Sequence, residues 1–287
     1  MASTDPDWND RNAAWWVKAD QAGRHLQVLE GLVEDFRATR PVRVVPEPTD
    51  DPNRTAYRLR FHGDVPTVLL ATVGDVLHNL RSALDNVAFA MSAASNGGIV
   101  PASKEHLPSF PIAKNAAAFA DRFTGRFAGL WNDKAQRAFR TVQPFAFGEM
   151  AAEAGVTLDR SEDVDLAWST LHRLDKLWNI DKHRRLTIAR WWPGMFWWGT
   201  NATESKRTAV LGDRLLADGA ILLYIDGRDD DQTSDDIAFE WSLVLTDDPA
   251  FVLERGATPD LVEMLMSWHA EITGTMFRQI FTLMSQP

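Results

Sequence analysis

The feature that most constrains this chain is an apolar stripe between residues 66 and 94. Leu69, Leu70, Val73, Val76, Leu77, Leu80, Leu84, Val87 and Met91 recur three and four apart, the spacing that lines one face of an α-helix. Asn96-Gly97-Gly98 closes it. A helix this long must bury its stripe against other elements, and the sequence supplies them. Residues 8–38 carry Trp15, Trp16, Ala19, Ala22, His25, Leu26, Leu29, Leu32, Val33 and Phe36 at the same period, and Pro41 bars continuation. A third helix is expected over 162–183 with Ser161 as its N-cap. A closing one is expected over 259–284, with Thr258 as cap and Pro259 in the first turn. Shorter helices fall within 115–141, stopped by Gln143-Pro144.

Elsewhere the period drops to two. Val42–Val45 and the alternating run Thr55–His62 flank a turn rich in proline and aspartate, the pattern of a β-hairpin. Leu186–Trp192, Lys206–Leu211, Ala220–Ile225 and Ile237–Leu245 read as strands of an antiparallel sheet. The expected fold class is therefore α+β: a helical bundle core with an N-terminal β-hairpin and a C-terminal antiparallel sheet. A single domain over 1–287 is expected, with a helical part at 8–183 containing the hairpin at 42–62. The sheet part follows at 186–245 and the closing helix at 259–284.

Composition narrows the function classes. There is no cysteine, which excludes disulfides, zinc fingers and a thiol nucleophile. Met1–Asn12 is polar and acidic, without a signal peptide's apolar core, and no stretch reaches the roughly 20 apolar residues that span a bilayer. A cytoplasmic protein with no membrane partner is the expectation. The formal charge of -10 repels nucleic acid on average, so an RNA partner needs a local basic patch. Arg43, Arg54, Arg58 and Arg60 make the hairpin locally basic, with Arg58 and Arg60 as candidate phosphate contacts. The acidic run Asp226–Asp236 lacks the spacing of an EF-hand loop and reads as a solvated connection. Gly-rich phosphate loops and a Gly-x-Ser-x-Gly elbow are absent. The twelve tryptophans include the pairs Trp191-Trp192 and Trp197-Trp198. That segment suits core filling, the wall of a small-molecule pocket, or a face for a protein partner or a second copy in a homodimer.

Two helical segments hold the polar chemistry. On the 66–94 helix, Asp75, His78, Asn79, Ser82, Asp85 and Asn86 fall within one arc, with Arg81 beside it. On the 162–183 helix, His172, Asp175, Asn179 and His183 share a stripe bordering the apolar face. Short Asp, His, Asn and Ser side chains make directional hydrogen bonds, which suits a face set against another helix, so the two stripes are expected to meet. Three uses are open. One is a structural network with Arg81 bound to Asp85 or Asp175. Another is catalysis, with His183 as acid or base, Asn179 orienting it, His78 nearby, and Arg81, Arg184 or Arg185 on phosphate charge. The remaining one is a metal-dependent bundle site drawing on Asp75, His78, Asp85, His172, Asp175 and His183. Oxygen and nitrogen ligands suit iron, manganese or zinc. Aspartate reaches less far than the glutamate usual in such sites, so no cofactor is expected.

The segments Leu77-His-Asn-Leu-Arg-Ser-Ala-Leu-Asp85 and Asn179-Ile-Asp-Lys-His-Arg184 resemble the paired signatures of a bacterial, often actinobacterial, family of uncharacterised proteins. The helical part is distantly similar to the HEPN superfamily, whose ribonuclease members carry Arg-Asn-x-x-x-His on a helix. Asn179 and His183 match that motif, and Trp178 stands in place of its arginine. The resemblance implies an RNA-acting or defence-related protein with a degenerate motif.

Overall fold

Two long helices frame the computed structural model, which describes residues 6–153, 155, 169–192, 196–198, 206–210, 214–226, 237–253 and 259–286. Helix α1 (Ala14–Ala38) lays Trp15, Ala19, Ala22, Leu26, Leu29, Val33 and Phe36 into the core. The two alanines on that face present no bulk to the neighbour. That neighbour is α2 (Thr67–Ser95), whose whole predicted stripe is buried apart from the partly buried Leu70. Each leucine sunk there contributes about 1.5–3 kcal/mol relative to exposure.

α1 begins later than its periodicity suggests. Asp7 and Asp10 accept from the backbone N–H groups of Asn9 and Asn12 at 3.0 and 2.9 Å. Those local bonds hold residues 8–13 in turns and compete with helix. Short helices α3 (Ala116–Asp121) and α4 (Asp133–Arg140) follow α2. A further helix, α5 (Ala146–Glu153), lies beyond Gln143-Pro144, where the sequence predicts a stop. Gln143 is itself a buried staple: its amide donates to Pro111 O and Phe139 O and accepts from Ala113 N.

Of the helix predicted over 162–183, the structure shows α6 (Thr170–His183), which begins at Thr170. Ser169 caps it, accepting from His172 N at 3.4 Å, and the predicted cap Ser161 lies outside the described residues.

Strands β1 (Val42–Pro48) and β2 (Arg54–Phe61) form the expected hairpin. The later strands are β3 (Ile188–Trp192), β4 (Phe196–Trp198), β5 (Lys206–Ala209), β6 (Arg214–Leu215), β7 (Ile221–Asp226), β8 (Ile237–Phe239) and β9 (Ser242–Leu245). The fold is α+β, with all strand pairings antiparallel. The hairpin and the C-terminal strands do not stay apart: β1-β2-β7-β5 make one sheet, with Tyr57 opposite Leu223 and a register shift after it. Tyr57, Leu59, Leu222, Leu223 and Ile225 form its small core. A second sheet runs β6-β3-β9, and β4 pairs with β8. The single strand predicted over 237–245 is thus two strands in different sheets. They part at Trp241, whose ring meets Phe36 edge-on at 6.2 Å.

The chain closes with α7 (Pro249–Leu253), α8 (Leu261–Ala270), a wide π turn over Glu271–Met276, and α9 (Phe277–Ser285). Asp260, rather than the predicted Thr258, caps α8 by accepting from Val262 N at 3.0 Å; Thr258 lies outside the described residues. No helix among the described residues is long and apolar enough to cross a membrane.

Candidate functional site

The two predicted polar stripes meet where α6 lies against α2, and Arg81 is the joint. Its guanidinium is buried and bonded through all three nitrogens. Nη1 donates to Asp175 at 3.0 Å, Nε and Nη2 approach the Asp85 carboxylate at 3.4 and 3.2 Å, and Nη2 donates to Phe110 O at 3.1 Å. Asp85 in turn accepts from Phe110 N at 2.8 Å. The flat face of Arg81 lies over Trp178 at 5.3 Å. Burying a guanidinium costs several kcal/mol unless it is paired in this way. Arg81 therefore fixes the register of α2, α6 and the 110 loop, with four of its five N–H groups committed to Asp85, Asp175 and Phe110 O.

Other predicted residues scatter along the same seam. Asn179 is exposed and donates back to Asp175 O at 2.7 Å. His183 sits exposed in the last turn of α6. Arg184 is held loosely by Asp247 at 3.7 Å, and Arg185 is exposed. His172 is partly buried, and that burial shifts its imidazole towards the neutral form, Asp175 opposing and Lys176 assisting. The hairpin's basic character is largely cancelled. Arg58 pairs with Glu47 at 3.1 Å and donates to Gly219 O; Arg60 also pairs with Glu47. Arg54 is held by Asp226 at 2.6 Å.

The proposed metal ligands are divided: Asp85 and Asp175 serve Arg81, while Asp75 lies 4.0 Å from His25 on α1. Among the described residues, no group of three or more His, Asp or Glu side chains is placed to hold a metal ion. Most of the acidic run, residues 227–236, is outside the described residues, as are the side chains of Trp192, Trp197 and Trp198. Trp191 is buried edge-on to Phe251 at 6.2 Å, a core role.

A tighter cluster lies two turns before Arg81 on α2. Gly74 is buried in α2, and a methyl group there would stand 2.9 Å from Asp181 Oδ2. The missing side chain is what admits the Asp181 carboxyl. Burial there raises the affinity of Asp181 for its proton, the Asp75 carboxylate raises it further, and His78 works against both. His78 is exposed, with Nε2 at 3.5 Å from Ser82 Oγ. Two carboxyls and an imidazole thus share an electrostatic neighbourhood, open to solvent at Asp75 and His78. Asp181 lies off the His172–His183 stripe, so helical spacing does not point to it. The sequence signal for the contact is a glycine inside a strong helix, which costs about 1 kcal/mol against alanine and marks a close approach.

No protein-family model, no curated protein and no solved structure matches the chain.

Proposed function

We propose that the protein cleaves RNA, with Asp181 as general acid and His78 as general base. One observation carries this reading: a carboxyl seated against Gly74, biased towards its protonated form by burial and by Asp75, beside a solvent-facing imidazole. Pairs of groups whose surroundings separate their protonation states are how acid and base roles are divided. The exposed basic run Lys182–Arg185 begins at the residue after Asp181 and would hold phosphates against the chain's acidic average. The resemblance to RNA-acting helical proteins agrees in class. The chemistry moves away from Arg81, which is spent on Asp85 and Asp175, to the neighbouring turn. Asn179 and His183 border the same end of α6 and would position the strand.

In this reaction His78 takes the proton of a ribose 2′-hydroxyl as its oxygen attacks phosphorus. Protonated Asp181 gives its proton to the departing 5′-oxygen. The products are a 2′,3′-cyclic phosphate and a 5′-hydroxyl, with no net proton change in the solution. The test is incubation of single-stranded RNA with the protein in the presence of a chelator, with product ends identified. Asp181→Asn and His78→Ala should each lose about 10²–10⁴-fold in rate, and a 2′-deoxy linkage should not be cut. Intact RNA after incubation with the wild-type protein, or full activity in a folded Asp181→Asn variant, would sink the proposal.

A further inference from the structure

Arg81, Arg173 and Arg190 are each more than nine-tenths buried. Arg81 and Arg173 contact carboxylates. Arg190, on β3, is only 7% exposed and makes no ion pair among the described residues. Its hydrogen bond runs from Nη2 to Gly63 O at 2.6 Å. Nε is sealed from solvent with no acceptor, whereas Nη1, equally without one, still reaches solvent. Four of the five N–H groups are therefore unpaired among the described residues. The guanidinium carbon lies 4.3 Å from the centroid of the Phe61 ring and 5.5 Å from that of Phe36, which leaves the outer edge of the group for a ligand. Burial works against the charged form of Arg190, and exposed Asp64, beyond ion-pair distance, only partly offsets it. A buried charge left unpaired is strongly destabilising, and an orphaned buried polar atom in a native interior marks a missing partner or ion. There is room for one beside Gly63, the residue that accepts from Nη2: with φ at +88° and no side chain, it leaves a position where a methyl group would meet nothing within 4 Å.

We propose that Arg190 is the anchor of a binding site for a small carboxylate, which enters beside Gly63 and pairs with the outer edge of the guanidinium. Nη1 and the second hydrogen of Nη2 form the two-pronged edge that matches the two oxygens of a carboxylate. The other two buried arginines of this chain are satisfied by that same group, from Asp85, Asp175 and Asp248. A single negative charge neutralises Arg190. A phosphate dianion would bring a second charge towards Asp64, which repels it. The site shares no residue with the cleavage cluster of Asp75, His78 and Asp181, and it is read without RNA.

The test is NMR titration of the full chain with acetate at constant ionic strength, following the arginine Nε–H signals. The Arg190 signal is the one missing from Arg190→Lys. It should shift saturably with acetate and stay in place with chloride, while inorganic phosphate should bind more weakly than acetate. Asp64→Asn removes a like charge from the mouth and should tighten acetate about 3–10-fold. Gly63→Asn, a residue that tolerates positive φ, should fill the mouth and weaken it. Asp181→Asn should bind acetate like the wild type, so loss of RNA cleavage and loss of this site are told apart. Far-UV circular dichroism checks that each variant is folded. Should Arg190→Lys not fold, the Asp64→Asn and Gly63→Asn titrations still decide the matter through the acetate-dependent signal. No saturable shift by 100 mM acetate, or unchanged affinity in folded Gly63→Asn, would overturn the assignment. So would a lower melting temperature in Asp64→Asn with no response to acetate, which would make Asp64 the counter-ion. A shift of the Arg190 signal with protein concentration alone would also overturn it, assigning the edge to a carboxylate of a second copy.

Discussion

The Gly74–Asp181 contact couples stability to chemistry in one place. A carboxyl whose proton affinity is raised on folding holds its proton more tightly in the native state than in the unfolded chain. Its contribution to stability is present below the unfolded pKa, about 3.9 for aspartate. It is lost as pH rises through the folded pKa. Asp181→Asn keeps the shape and removes the charge. The variant should match the wild type at low pH and become the more stable of the two as pH rises above that range; equal stability across pH, followed by urea unfolding, would show that Asp181 is not strained. Gly74→Ala probes the same contact from the other helix. It gains about 1 kcal/mol of helix propensity, but its methyl must turn the Asp181 carboxyl aside. RNA cleavage should fall while thermal stability holds, a separation that a purely structural Asp181 would not give.

At the scale of elements, α6 is pinned at two points by buried arginines. Arg81 reaches it from α2, and Arg173 reaches out from it to Asp248, donating at 3.0 and 2.6 Å with both side chains almost wholly buried. Arg173 also lies 4.8 Å over the Trp268 ring of α8. The two joints differ in solvent access: Asp85 and Asp175 are 31% and 37% exposed, whereas Asp248 is 0% exposed. Breaking a buried pair strands the surviving charge, at about 3–5 kcal/mol. Asp248→Ala should therefore cost about 4 kcal/mol and Arg81→Ala about 2–3 kcal/mol, since water can reach the two carboxylates left behind. Denaturant midpoints that rank the variants in the opposite order would refute this account. The meeting of the α2 and α6 stripes was legible beforehand, because short polar side chains at helical spacing leave few other ways to be satisfied. The Arg173–Asp248 joint was not legible. It links residues 75 apart in sequence, and the local pattern at Asp248, an aspartate before Pro249 that accepts from Ala250 N at 2.9 Å, announces only the cap of α7.

The whole molecule shows the same division between local and distant information. The apolar periods of α1 and α2 and the alternation of β2 are local, and they forecast those elements well. The merging of the hairpin with β7 and β5 depends on partners more than 150 residues away, such as Arg54 with Asp226, and alternation alone does not choose among edges. Asp260 is the point where these distant parts are joined. One carboxylate oxygen caps α8 through Val262 N at 3.0 Å, while the other accepts from Leu243 N of β9 at 3.2 Å and Arg37 of α1 at 2.8 Å. A helix cap contributes about 1 kcal/mol and a hydrogen bond to a charged group about 1.5–3 kcal/mol. The side chain is only 12% exposed, so water cannot fully replace what is removed. Asp260→Ala should lower stability by about 3 kcal/mol, seen as a lower urea midpoint with an unchanged slope, because the folded and unfolded surfaces stay the same. Asp260→Asn keeps the cap and turns one acceptor into a donor facing Leu243 N and Arg37, so its loss should be smaller, about 1–2 kcal/mol. If the two variants are equally unstable, the cap contributes nothing; if both match the wild type, α1, β9 and α8 are held together by their apolar contacts alone.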